Sequence, residues 1–264
     1  MITVSIVTYK TPSAELTDIL HILDCGNVKK IYVIDNASER RICDICARFP
    51  KTEYIPSANR GYGAGHNIAL RRVLDDEELQ YHLVLNTDIR FDNSAIGEME
   101  SYMDGHADIG LLHPLVLNPD GTMQHTARLV PAPADLMIRR FCPSGWFKKS
   151  RDRYLMKSAD KTRPFEAGYV QGSFMFFRIE ALRQAGLFDE RFFMYPEDID
   201  ISRRIHGKWK VVCLPEVRVV HGHRGASYKS MKMLWIHMSN MIRYFNKWGW
   251  LADKERERIN ARII

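Results

Sequence analysis

The sequence predicts an α/β fold with a mostly parallel central sheet flanked by helices, and three observations predict it. Short β-rich apolar runs alternate with amphipathic helical stretches through the first 105 residues, the pattern of a doubly wound parallel sheet. Three of those runs stop at polar or acidic residues, Thr8 and Tyr9, Asp35, and Asp88, which a parallel sheet brings to one edge. No internal repeat interrupts the alternation.

Taken in order, Ile2–Tyr9 is the first strand, and Thr11, Pro12 and Ser13 introduce a helix over roughly 14–24. Val28–Ile34 is a second strand ending at Asp35, Asn36, Ala37 and Ser38, and 39–48 reads as helical. A short third strand over 53–55 leads into a Gly-rich segment, Asn59–Asn67, and a helix to about Leu74. The apolar run Leu83–Leu85 then delivers Asn86, Thr87 and Asp88. Near residue 106 the pattern changes: Ile109–Leu112 is a short strand, and 115–123 a hairpin turning at Asn118, Pro119, Asp120 and Gly121. Residues 131–164 are polar, basic and poorly periodic, which predicts a mobile lid or binding loop. Regular structure returns with a strand over 169–177, a helix over 179–185, a helix opening at Pro196 and a strand over 217–220. Residues 229–250 form an amphipathic helix, with Met231, Leu234, Met238, Met241, Phe245 and Trp248 on its apolar face.

A chain of 264 residues with 45% hydrophobic and 27% charged residues can bury a substantial core and has the composition of a soluble globular protein. No apolar stretch is long enough to cross a bilayer and the start has no signal-peptide pattern, so the expectation is a cytoplasmic protein. Five scattered cysteines argue against a disulfide framework, and the Cys43/Cys46 pair lies in a helix without a second ligand pair, which points to packing. The net charge of +6 points to anionic partners: nucleic acid, phosphorylated small molecules or an acidic membrane surface.

Four clusters carry chemistry. Asp35 at a strand end can read a base N–H or a ribose hydroxyl, or it can cap the following helix. Gly61, Gly63 and Gly65 allow backbone N–H groups to approach an anion at a helix start, or form a flexible loop. The segment is neither a phosphate-binding loop ending in Gly-Lys-Ser/Thr nor a dinucleotide fingerprint. The third cluster, Glu197, Asp198 and Asp200 behind an aromatic run, holds more acid than a helix start needs. Asp198 has the surroundings of a general base. In the fourth, His221 at a strand end can join Asp88 on a divalent metal, while Arg224, Ser227 and Lys229 hold phosphate oxygens; the other reading of His221 and His223 is two surface histidines.

In this order, Val4–Tyr9, Val33–Ser38, Asn59–Asn67, Leu85–Asp88, Gly172 with Ser173, Phe188–Asp200 and His221–Ser227 resemble the family 2 glycosyltransferases, in particular the bacterial rhamnosyltransferase-like group. The resemblance covers about residues 2–229. It implies a GT-A fold over 1–228, with 1–105 as the nucleotide-sugar-binding half and 106–228 as the acceptor and catalytic half, followed by a helical segment over 229–264. It implies an inverting transferase in surface-polysaccharide synthesis. The donor would be dTDP-rhamnose or a UDP-sugar, the acceptor a glycan or polyprenyl-linked saccharide, and the cofactor Mn2+ or Mg2+. By the same resemblance Asp198 is the catalytic base with Glu197 and Asp200 in support, and Asp88 and His221 contact the metal. Thr8, Tyr9, Asp35, Asn59, Gly61, Asn67, Asn86, Thr87, Gly172, Arg224, Ser227 and Lys229 surround the nucleotide sugar. Asn86 departs from the Asp that opens the family's Asp-x-Asp form. A lapsed nucleotide-sugar binder and a nucleotidyltransferase are the alternatives, and nucleic acid is not an expected partner. The terminal helix is expected to pack on the domain or a second subunit, or to rest through 229–254 on an anionic membrane.

Overall fold

A computed structural model of the chain describes residues 1–24, 27–143, 145–222 and 231–264. Its centre is a nine-stranded mixed sheet containing β1 (Ile2–Thr8), β2 (Val28–Asp35), β3 (Thr52–Pro56), β4 (Tyr81–Leu85), β5 (Ile89–Phe91), β6 (Ile109–Leu117), β8 (Phe165–Glu166), β10 (Phe174–Arg178) and β11 (Lys210–His221). The order is β3-β2-β1-β4-β10-β6-β11-β5, with β8 also on β11. A two-stranded ribbon pairs β7 (Ala127–Arg128) with β9 (Tyr169–Val170).

Side chains alternate across the sheet as the strand period demands. Ile31 and Val33 enter the core beneath one face, whereas Tyr32 and Ile34 enter the core beneath the other. Helix α1 (Ser13–Asp24) buries Leu16, Ile19, Leu20 and Leu23, spaced three or four residues apart, on the first face with α2 (Arg40–Cys46) and α4 (Ala95–Asp104). Helices α3 (Tyr62–Leu74), α7 (Ile179–Ala185) and α8 (Glu197–Ile205) supply apolar side chains to the opposite face.

One polar chain crosses this core. Thr3 Oγ1 lies 2.8 Å from His82 Nδ1, His82 Nε2 lies 2.8 Å from Ser5 Oγ, and Ser5 Oγ lies 2.7 Å from His66 Nδ1, all buried. Burial pushes the His82 imidazole down to about 3 and His66 well below its ordinary value, so both rings are neutral members of the core.

Strand direction fixes where the chemistry can be. β1, β2, β3 and β4 run parallel, so β1, β2 and β4 end at one edge. β10 enters antiparallel to both β4 and β6, with Phe174 opposite Leu85, so its start lies at that edge. β11 runs parallel to β6 and reaches the same edge at His221.

The structure departs from the sequence expectation in three places. Residues 131–164 hold two helices, α5 (Pro133–Phe141) and α6 (Lys148–Tyr154), and Tyr154 and Met156 are buried in the core. α5 is amphipathic but only nine residues long, and α6 is seven residues of which four are basic, so neither gives a helical signal long enough to stand out in the sequence. The strand expected at 109–112 continues through Pro114 to Leu117, where the predicted hairpin turns, with Asn118 N donating to Thr122 O at 2.7 Å. After the predicted amphipathic helix, α9 (Met231–Trp248), a further helix α10 (Lys254–Ile263) returns to the body.

The C-terminal helices are fastened to α8 by a buried cation. Arg203, fully buried, donates to Asp253 at 2.7 and 2.8 Å and to the Tyr244 hydroxyl at 3.0 Å, and its guanidinium lies 4.1 Å from the Trp248 ring centroid. Among the described residues no helix is long and apolar enough to cross a membrane.

Candidate active site at the sheet edge

Asp88 follows β4 and is held by the pairing of β5 with β11: His221 faces Ile89, and Gly222 N donates to Asp88 O at 3.0 Å. This sets His221 Nε2 3.3 Å from Asp88 Oδ1, with the imidazole buried and the carboxylate one-fifth exposed. An imidazole nitrogen and a carboxylate oxygen at that spacing suit two neighbouring positions around Mn2+ or Mg2+, whose adjacent ligands lie about 3 Å apart. The donor set therefore fits a divalent ion whose other ligands come from phosphate and water. No cluster of three or more acidic, His or Cys ligands occurs among the described residues.

The second acidic group opens α8. Asp198, partly exposed, accepts from Ile199 N at 2.8 Å through Oδ1 and from Gly172 N at 3.2 Å through Oδ2. Burial raises its carboxyl above the ordinary range, against the pull of those two N–H groups and of the Arg128 charge. Glu197 beside it is buried, with no hydrogen-bond partner for Oε2. Desolvation first, and then the Asp198 charge, push Glu197 up to about 8. The adjacent carboxyls thus divide: Glu197 carries a proton at neutral pH and Asp198 is the group able to ionise.

Tyr62 joins the two groups. Its hydroxyl lies 2.9 Å from Asn86 Oδ1 and 2.6 Å from Gly172 O, and burial together with the charges of Glu197, Asp198 and Asp88 keeps it a phenol. Gly172 fits closely between them: a Cβ there would stand 3.4 Å from Tyr62 Cε1 and 3.6 Å from Asp198 Cβ. Asn86, Asp88, Gly172, Glu197, Asp198 and His221 are therefore brought together, with Thr87 nearly buried beside them.

Other predicted residues stand differently. Asp35 is fully buried and accepts from Thr8 Oγ1 at 3.1 Å, Ala37 N at 3.1 Å, Glu39 N at 2.6 Å and Tyr54 OH at 3.3 Å, so its carboxylate caps the turn into α2. Tyr9, at the end of β1, is 54% exposed and remains open to a ligand. Asn59 Oδ1 accepts from Gly61 N at 3.2 Å and from Asn36 Nδ2 at 3.4 Å, which leaves the buried Asn36 Oδ1 without a partner.

The glycines correct the anion-cradle expectation. A Cβ on Gly61 would fall 2.1 Å from Phe193 O, on Gly63 2.8 Å from Phe188 Cβ, and on Gly65 2.8 Å from Val7 Cγ2. They let α3 press against β1 and the 188–193 segment. Asn67, nearly fully buried, clamps the same segment, donating to Phe188 O at 2.9 Å and Glu190 Oε1 at 2.8 Å and accepting from Phe188 N at 3.0 Å. Asp200 is also corrected: fully buried, it holds Arg204 at 2.9 Å, Trp248 Nε1 at 2.8 Å and Lys247 at 2.6 Å, facing α9 rather than the cleft. Arg224, Ser227 and Lys229, with His223, lie outside the described residues.

Sequence reasoning did not single out Tyr62, Gln124 or Arg128. Tyr62 sits inside the Gly-rich segment, where attention fell on the glycines. Gln124 and Arg128 follow the hairpin turn in a stretch whose sequence carries no motif.

No family model matches the chain. It is 29% identical over 237 residues to the N-acetylglucosaminyl-diphospho-decaprenol L-rhamnosyltransferase of Mycobacterium tuberculosis, covering 81% of this chain and 74% of that protein. It is 25% identical over 249 residues to the rhamnosyltransferase WbbL of Escherichia coli, covering 88% of each. Among solved structures, GalNAc-T7 with UDP, GalNAc and Mn2+ superposes with a TM-score of 0.66 at 16% identity; the match covers 96% of this chain and about half, 49%, of that one. By the mixed sheet, the acids at its edge and these likenesses, the chain is a glycosyltransferase of the GT-A fold, similar to the family 2 rhamnosyltransferases.

Proposed function

We propose that the chain moves a sugar, L-rhamnose, with inversion from a nucleotide-diphosphate donor to a lipid-linked saccharide in surface-polysaccharide assembly. The observation that carries this reading is Tyr62, whose hydroxyl reaches both Asn86 beside the Asp88–His221 corner and Gly172 beside Asp198. One sheet edge thus holds an Asp–His pair suited to a cation and a carboxyl suited to act as base. The choice of rhamnose rests on the two rhamnosyltransferase relatives, and that of a lipid-linked acceptor on the name of the decaprenol enzyme alone.

Asp198 takes the proton from the acceptor hydroxyl as its oxygen bonds to the anomeric carbon, and the bond from that carbon to the diphosphate breaks with its electron pair on the phosphate oxygen. Ile199 N–H and Gly172 N–H keep the carboxylate oriented, and Arg128 favours its charged form. Glu197, protonated, adds no second negative charge to the place where the acceptor oxygen becomes nucleophilic. Asp88 and His221 would hold a divalent ion, which supplies charge neutralisation on the departing diphosphate. We assign the exposed Tyr9 ring to the nucleoside side.

Thermal shift against UDP-, GDP- and dTDP-sugars, with and without Mn2+, tests the reading, because a ligand bound only by the native state raises the transition. A Mn2+-enhanced shift confined to dTDP-rhamnose is expected; no shift with any sugar nucleotide would favour a lapsed site.

We place the membrane contact on α9 as well, but on a different face from the one its period suggests. Lys247 and Trp248 bind Asp189 and Asp200, whereas Met231, Trp235 and Ile242 are 70%, 71% and 46% exposed along one side. Helix α9 contains no acidic residue, which suits an anionic bilayer holding a lipid-linked acceptor. Trp235→Ser with Ile242→Ser should reduce pelleting with phosphatidylserine vesicles; unchanged pelleting removes the contact, and a shift from dimer to monomer assigns the face to a second copy.

A further inference from the structure

We infer that Gln124 is a positioning residue for the cation corner: it fixes His221 as the tautomer protonated on Nδ1, which turns the Nε2 lone pair toward Asp88. The inference rests on the reading of Asp88 and His221 as a cation-binding pair and assigns a residue outside it.

The direction of each hydrogen bond along the hairpin follows from a group that can only accept. The Asp120 carboxylate accepts from Thr122 Oγ1 at 2.6 Å, so that hydroxyl is the acceptor for Asn118 Nδ2 at 2.8 Å. This leaves Asn118 Oδ1 facing Gln124 Nε2, which donates to it at 2.8 Å and to the backbone carbonyl of His221 at 3.0 Å. Both donors of the Gln124 amide face acceptors, and a carbonyl cannot donate, so the amide cannot flip. Its Oε1 therefore faces His221 Nδ1 at 3.2 Å as an acceptor, and the ring proton lies on Nδ1.

Two lone-pair-bearing atoms then face each other, Nε2 of His221 and Oδ1 of Asp88, 3.3 Å apart. That is the arrangement a metal ligand pair requires. The segment is itself anchored: Gln124 N donates to Val116 O at 2.8 Å, and Thr126 Oγ1 lies 2.8 Å from His113 Nε2 beneath it. The same stretch carries Arg128, whose charge favours the ionised form of Asp198, so the segment after the hairpin bears on both halves of the site.

The test uses the full chain, with Gln124→Met, which removes the acceptor, and Gln124→Glu, which retains one. Mn2+ binding is followed by electron paramagnetic resonance, alone and with dTDP or UDP, and the His221 tautomer by 15N NMR of the imidazole. Wild type should show the Nδ1–H form. Gln124→Met should lose it and bind Mn2+ about tenfold or more weakly, while Gln124→Glu keeps the tautomer and stays within about threefold, the range expected when an outer hydrogen bond to a metal-binding His is removed or kept. An Nε2–H tautomer in wild type, or Gln124→Met binding Mn2+ as tightly as wild type while retaining its melting temperature, overturns the inference and leaves the cation corner standing. Wild type that binds no more Mn2+ than Asp88→Asn overturns the corner and the inference together.

Discussion

Replacing Asp198 by Asn should lower turnover by about 10²–10⁴-fold, the contribution of a positioned general base, while leaving nucleotide-sugar affinity within about twofold. The substitution keeps one oxygen, which can go on accepting from Ile199 N, so the opening turn of α8 should survive; its NH2 faces Gly172 N, and that hydrogen bond is lost. Near-normal turnover would take Asp198 out of the role. The pH dependence follows from its environment. Burial raises the Asp198 carboxyl, so the base is protonated and idle at low pH, and wild-type turnover should climb as pH rises through a value above the ordinary Asp range. The raised Glu197 bears on stability rather than on turnover. Its folded value of about 8 exceeds its ordinary 4.5, so the native state binds the extra proton between them and stability falls as pH rises across that window. Glu197→Gln should therefore make the melting temperature less sensitive to pH between those limits.

Asp253→Ala should be the most destabilising single change in the C-terminal segment. It leaves Arg203, fully buried, with only the longer contact to Glu255 at 3.5 Å in place of its two-point carboxylate partner, and breaking such a buried pair costs about 3–5 kcal/mol. For a chain of this size that corresponds to a drop of roughly 6–20 °C in melting temperature by calorimetry. The double change Arg203→Met with Asp253→Leu should recover most of the loss, because apolar groups of similar volume remove the stranded charge. A single-variant drop below about 2 °C would mean that Glu255, Tyr244 and the Trp248 ring suffice to hold Arg203.

The parallel half of the sheet was legible because strands such as Val28–Asp35 and Tyr81–Leu85 are apolar and short, and each is followed by a helix with its own period. Asp88, Asp198 and His221 were legible as strand-end or helix-start residues, since those positions need no knowledge of distant partners. Gly61, Gly65 and Asn67 were misread because their partners, Phe193, Val7 and Phe188, are remote in sequence or hidden in the sheet. Glycine reads the same whether a phosphate or another backbone approaches it. Asp200 looked like its acidic neighbours, yet one turn of helix points it to Lys247 and Trp248, which lie almost fifty residues downstream. Tyr62 and Gln124 carry no motif of their own; only the fold sets them against Gly172 and His221.

The position of Gly172 bears on the order of events in a catalytic cycle. Its N–H binds the acceptor-side base and its carbonyl meets the hydroxyl that also reaches the donor side at Asn86. A shift of Tyr62 as the donor seats would thus reach Asp198 through a single residue. A machine wired in this way favours sequential loading: the sugar nucleotide arrives first and tightens the base, and only then is the acceptor hydroxyl met by a carboxylate held at the right angle.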